Sequence, residues 1–204
     1  MHLRHWPLLL AAPLLLAACQ SAPKITQLPS PPTEAPSAPS PLPVEPAAPL
    51  APCEEDDDGC RVDRLGDTAL GWLKDGITTD ALLAKLGEPA QREERYEEGA
   101  TGAFVEVWRW PQRGVVAQML APDMTSPTTD ARAFTVSAPF DQKTARGVGL
   151  GDTEAAVIAA YADCIDTRFT RPGENLVAGS IYGGVFFTFH EGVVIDIFVG
   201  AGAE

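Results

Sequence analysis

Histidine is almost missing from this chain of 204 residues: there are three, and two of them, His2 and His5, stand at the extreme N-terminus, leaving only His190 in the rest. Chemistry built on several imidazoles, such as a His-rich zinc site, is therefore excluded. Basic residues are scarce as well, 15 Lys and Arg against 28 Asp and Glu, for a formal net charge of -13. That balance excludes nucleic acid as a partner, because neutralising phosphates takes a surplus of cations. The sequence has no Gly-x-Ser-x-Gly nucleophile elbow. Its one glycine-rich stretch before a helix, Gly147-Val148-Gly149-Leu150-Gly151, lacks both the P-loop lysine and the Rossmann spacing. With 45% apolar residues, the chain still suffices for one folded domain or two small ones.

What is present begins with an export signal. Arg4 and the amino terminus carry positive charge, and Trp6 to Ala18 form an uncharged apolar run of thirteen residues. A spanning helix needs about 20, and Pro7 and Pro13 disfavour a continuous helix. The run ends in Leu16-Ala17-Ala18-Cys19, which resembles the lipobox of bacterial lipoproteins. The resemblance implies cleavage after residue 18, acylation of Cys19 and, with Gln20 rather than Asp following, sorting to the outer membrane of a Gram-negative cell. The alternative is an ordinary cleavable signal with an incidental cysteine.

Residues 20–52 contain eleven prolines among Ser, Ala and Thr. Proline removes an amide donor and fixes φ, so residues 19–52 read as a lipidated Cys followed by a disordered tether. The acidic stretch 53–60, Cys53-Glu54-Glu55-Asp56-Asp57-Asp58-Gly59-Cys60, sets five carboxylates between two thiols. In an exported protein, Cys53, Cys60 and Cys164 allow three pairings. The local 53–60 closure is the expected one and a 60–164 bridge the rival. Glu54, Asp56, Asp58 and Gly59 match the first, third, fifth and sixth positions of an EF-hand pattern, but Leu65 stands where the bidentate Glu belongs. These acids are candidate weak cation ligands, weighed against plain solvation of a charged loop.

From Arg61 to Glu204 the composition is that of a globular α+β domain, with an approximate internal duplication at about 61–140 and 141–204. Thr78 is placed to cap a helix carrying Leu82, Leu83 and Leu86, which Gly87 and Pro89 end. Asp152 is the expected cap of a second helix, where Val157, Ile158 and Tyr161 repeat that spacing. Strands are expected at 92–96, 104–110, 115–120 and 133–138, then at 180–182, 185–189 and 193–199, with Gly183 and Gly184 as a turn. Gly76-Ile77-Thr78, Leu86-Gly87-Glu88-Pro89 and Trp108-Arg109-Trp110-Pro111 resemble the SmpA/OmlA (BamE-like) outer-membrane lipoproteins. The paired plan is similar to the tandem-repeat beta-lactamase inhibitor proteins. The resemblance covers most of residues 76–120 and 149–199. It implies two tandem units, each a helical segment followed by an antiparallel meander, with the helices on one face of the sheet. The second helix lacks the Gly-x-Pro ending, so the halves match only approximately.

Catalysis finds little support. Cys164 and His190, oriented by Asp166 or Asp196, are the one available nucleophile pair, but nothing around Cys164 in sequence favours a thiolate. Trp108 and Trp110 share a strand face with Phe104 and Glu106, as core or as a ligand platform. In the last hairpin, a three-residue loop His190-Glu191-Gly192 would pair Phe189 with Val193 and Phe187 with Ile195. Phe186, Thr188, Val194, Asp196 and Phe198 would then share the opposite face, a candidate binding surface. The expectation is therefore a non-catalytic, lipid-anchored protein without cofactor on the periplasmic side of the outer membrane. It would bind an envelope protein as an accessory of outer-membrane assembly or integrity. Inhibition of a periplasmic or secreted enzyme, a stabilising accessory without a ligand pocket, and a cation- or small-molecule-sensing lipoprotein are the alternatives.

Overall fold

The structure, a computed structural model, describes residues 51, 53–99 and 101–202, all within the compact unit Ala47–Glu204. The signal segment, Cys19 and nearly all of the proline-rich tether lie outside the described residues. The fold is α+β, with a mostly antiparallel sheet and few helices.

Each helix starts where a side chain takes up an amide the helix cannot satisfy itself, worth about 1 kcal/mol apiece. Helix α1 (Asp58–Leu65) is capped by Asp57, which accepts from Cys60 N at 2.8 Å. It begins at Asp58, inside the stretch 53–60 read from sequence as an acidic loop. Two of the five acids, Asp57 and Asp58, supply its cap and acidic first turn, and Arg64 stands in its last turn. Helix α2 (Thr79–Leu86) is capped by Thr78 through Ala81 N and stopped at Gly87, φ 77°, as the sequence suggested. Helix α3 (Glu154–Tyr161) is capped by Thr153, not Asp152. Thr153 has the extended backbone a cap requires, while Asp152 accepts from Gly149 N at 2.7 Å and from Lys143 Nζ at 2.8 Å.

The strands are β1 (Ile77–Thr78), β2 (Gln91–Arg92), β3 (Tyr96–Glu97), β4 (Phe104–Trp110), β5 (Val115–Ala121), β6 (Asp130–Ser137), β7 (Asn175–Ser180), β8 (Gly183–His190) and β9 (Val193–Gly200). They join in the order β2-β4-β5-β6-β9-β8-β7, with β1 on β6 and β3 on β4. The single strand expected at 92–96 is two short ones, and the turn expected at Gly183-Gly184 is formed by Ile181 and Tyr182. The glycines instead open β8, where a Cβ on Gly184 would come within 2.5 Å of the Ala178 carbonyl. Neither edge is left as a long bare strand. The outer edge of β7 is met by residues 164–171, through Asp166 N to Val177 O and Gly179 N to Cys164 O, both 2.8 Å.

One row across six strands defines the core: Trp110, Val115, Val136, Ile197, Phe187 and Leu176 face one another in register, and all are buried. Each such residue contributes roughly 1.5–3 kcal/mol. Leu65, Leu82, Val157 and Tyr161 from the helices belong to the same apolar cluster. Trp108 and Trp110 are thus core residues, and Trp110 Nε1 donates to Gly87 O at 2.9 Å.

Candidate functional site

The other side of the sheet has its own row, offset by one residue: Arg109, Val116, Thr135, Phe198, Phe186 and Val177. All but Val177 are half-buried. The rings of Phe186 and Phe198 meet edge to face, with centroids 5.3 Å apart. That geometry favours an aromatic pair beyond the area it buries.

The last hairpin closes differently from the three-residue loop expected. Glu191 (φ 51°) and Gly192 (φ 76°) form a two-residue turn, which sets His190 opposite Val193 and Phe189 opposite Val194. Ile195 is then skipped as a bulge, and Thr188 pairs with Asp196. The bulge moves the register by one, so Phe187 faces Ile197 rather than Asp196 and no carboxylate enters the core. Phe186, Thr188, Asp196 and Phe198 therefore share the outer face as expected. Val194 does not: it is 2% exposed and lies in the core, while Ile195 is 41% exposed.

Residues that the sequence did not single out complete the surface. In β6, Arg132 is the extra residue of a second bulge, between the partners of Gln118 and Met119. Its guanidinium pairs with Glu98, a carboxylate only 2% exposed, and donates to Gln118 Oε1 at 3.1 and 3.2 Å. These groups and the two phenylalanines line a cavity of about 480 Å³ with Ala201 and Gly202. Gly202 N donates to Ile181 O at 2.7 Å, and a Cβ on Gly202 would lie 2.7 Å from the Phe186 ring. The loop 122–129 does not cover this face. Arg95 draws it elsewhere, donating to Asp123 O at 2.8 Å and Ser126 O at 2.6 Å while pairing with Glu106, which accepts from core Trp108. The β6–β9 pairing that unites the row is contact between distant parts of the sequence, and no local signal announced it.

The remaining candidates fall apart or into structural roles. Cys164 is 1% exposed, and burial pushes its thiol up to about 11. The backbone next to it pairs with Ala178, opposite Val185, whereas exposed His190 lies five residues further along β8, roughly 16 Å away at the strand rise. Asp166 is fully buried and held by Arg168 at 2.7 Å, with Arg61 at 3.7 Å. Cys53 and Cys60 form a disulfide. Glu54, Asp56 and Asp58 do not converge: Asp58 pairs with Arg61 and Arg168, and the Glu54 and Glu55 carbonyls accept from Arg61 at 3.0 and 3.1 Å. Inside this loop a guanidinium stands where a cation would be held. Among the described residues no group of three His, Cys, Asp or Glu is arranged to hold a metal ion. Nor is any helix among them long and apolar enough to cross a membrane.

Comparison with known proteins finds no matching family model, no matching curated protein and no matching solved structure.

Proposed function

We propose that this protein is a non-catalytic protein-binding module, anchored by acyl groups on Cys19 to the periplasmic side of the outer membrane. Its proline-rich tether presents the domain to an envelope protein partner, as an accessory of outer-membrane assembly or integrity. The observation that carries the reading is the outer row of the sheet. Its Phe186–Phe198 pair is half-buried, next to a cavity that the Arg132–Glu98 pair also lines. Two aromatic rings flanked by satisfied polar groups make a surface that recognises shape and apolar area.

The tandem organisation belongs to the same proposal. Helix α2 precedes β4, β5 and β6; helix α3 precedes β7, β8 and β9; and the third strand of each set meets the other at the centre of the sheet. That order supports two units of one design, with α2 and α3 against the core side. It also favours a second reading, in which the outer face caps the active site of a periplasmic or secreted enzyme.

Phe198→Glu tests the surface. Co-purification after in-cell crosslinking is expected to lose the partner, while the thermal midpoint falls by no more than about 4 °C, the shift that ~1 kcal/mol produces in a domain of this size. A large fall in midpoint would make Phe198 a core residue and remove the surface assignment. If the captured partner is an enzyme and the added domain lowers its turnover, the inhibitor reading replaces the accessory one.

A further inference from the structure

At the turn end of the sheet, Trp72, Leu86 and Phe140 form the floor of a second cleft, of about 230 Å³, and Lys85 and Arg113 stand on its rim. It shares no lining residue with the cavity beside Phe186 and Phe198. The indole of Trp72 and the ring of Phe140 pack at 6.4 Å with a 59° tilt, and both residues are half-buried. Four separate segments build it: the residues before β1, the last turn of α2, the tight turn Pro111–Arg113, and the exit from β6 through the cis Ala138–Pro139 peptide. The turn and the β6 exit are held in close approach. Ser137 N donates to Gly114 O at 2.9 Å, and a Cβ on Gly114 would fall 1.9 Å from Ser137 O.

The charge on this rim runs against the rest of the molecule. In a protein of net charge -13, most described cations are committed to carboxylates or carbonyls. Among the described residues, the cationic groups of Lys74, Lys85, Arg113 and Arg171 have no hydrogen-bond or ion-pair partner, and two of these four line this one cleft. The indole N–H of Trp72 likewise has no partner among the described residues. Lys85 sits in the last turn of α2, where it offsets the partial negative charge of the helix end. Arg113 supplies a charge beyond that. Asp141 also lines the cleft, and accepts from Gln142 Nε2 at 2.7 Å.

We infer that this cleft binds an apolar group bearing a carboxylate, the apolar part on Trp72 and Phe140 and the carboxylate between Lys85 and Arg113. The volume admits one group the size of a single residue rather than a drug-sized ligand, for which pockets run from about 300 Å³ upward. Arginine presents paired N–H donors that match a carboxylate, and such charge-assisted bonds are the stronger kind. A polypeptide carboxyl terminus ending in an apolar residue and a free aromatic acid share this chemistry.

The test uses the full-length protein and follows the Trp72 indole N–H resonance during titration with the peptide Ala-Ala-Phe, its carboxyl-terminal amide, and phenylacetate. The free-acid peptide is expected to shift that resonance saturably. The amide should bind at least about tenfold more weakly, and the double variant Lys85→Ala/Arg113→Ala should lose affinity to a similar degree. Both substituted residues are exposed, so the variant stays folded and its thermal midpoint falls by no more than about 4 °C, the loss of the Lys85 charge at the end of α2 included. Binding of phenylacetate as well as the peptide assigns the site to free acids, and binding of the peptide alone assigns it to polypeptide termini. No saturable shift with either, equal binding of acid and amide, or undiminished binding by the double variant would overturn the inference. Phe198→Glu leaves this titration unchanged, so failure here and failure of the outer-face reading are distinguishable.

Discussion

Phe189 lies opposite Val194 at the start of the last hairpin, and the next residue along β9, Ile195, has no partner. That one unpaired residue decides which residues of β9 are core and which are surface. The prediction is a reversal of the usual order for neighbouring aliphatics. Val194→Asp buries a carboxylate without a partner and should cost several kcal/mol or prevent folding. Ile195→Asp should stay within about 0.5 kcal/mol. Urea unfolding of both variants checks this, and equal losses would contradict the bulge.

Acid should unfold the domain through two carboxylates that fasten separate segments. Arg61 holds Asp58 below the usual carboxylate range, and Arg146 does the same for Asp163. A lowered folded pKa means the contribution is present above the unfolded value of ~3.9 and lost as pH falls through the lower folded value. Stability should therefore decline below about pH 4. Asp163→Asn should reduce stability at pH 7 and flatten the decline below about pH 4, as followed by denaturant titrations at neutral and acid pH. Arg146 also donates to Ala160 O and Arg64 O, joining α3 to the end of α1, so the effect should reach both helices.

Thiol chemistry separates Cys53, Cys60 and Cys164. Cys164, buried and pushed up to about 11, should resist alkylation at about pH 8 in the native protein. After unfolding without reductant, Cys164 alone should be modified. Mass spectrometry of the labelled peptides reads the result, and label on Cys53 would contradict the 53–60 bond.

How much of this was legible in the sequence follows from how local each signal is. Thr78, Gly87 and the leucines between them announce α2 within a few turns, and that helix forms as read. Thr153 displaces Asp152 as a cap because both residue types suit the position, and only the backbone chooses between them. Alternation of apolar and polar residues gave a sound account of β4, β5, β8 and β9, but alternation does not reveal a bulge. Ile195 and Arg132 each move the register by one, so Val194 changed sides and Arg132 turned to Gln118 and Glu98. The sheet's central β6–β9 pairing, and with it the alignment of Thr135 beside Phe198, joins residues roughly 60 apart in sequence, beyond the reach of any short motif.

The central claim is that the outer row of the sheet meets a protein partner, and site-specific photo-crosslinking in cells tests it most directly. A photoreactive residue at Thr135, half-buried in the middle of that row, should give an adduct of one defined mass. One at Ile158, 45% exposed on α3, should give none. An adduct from Ile158 of the same mass and yield, or none from Thr135, would contradict the account.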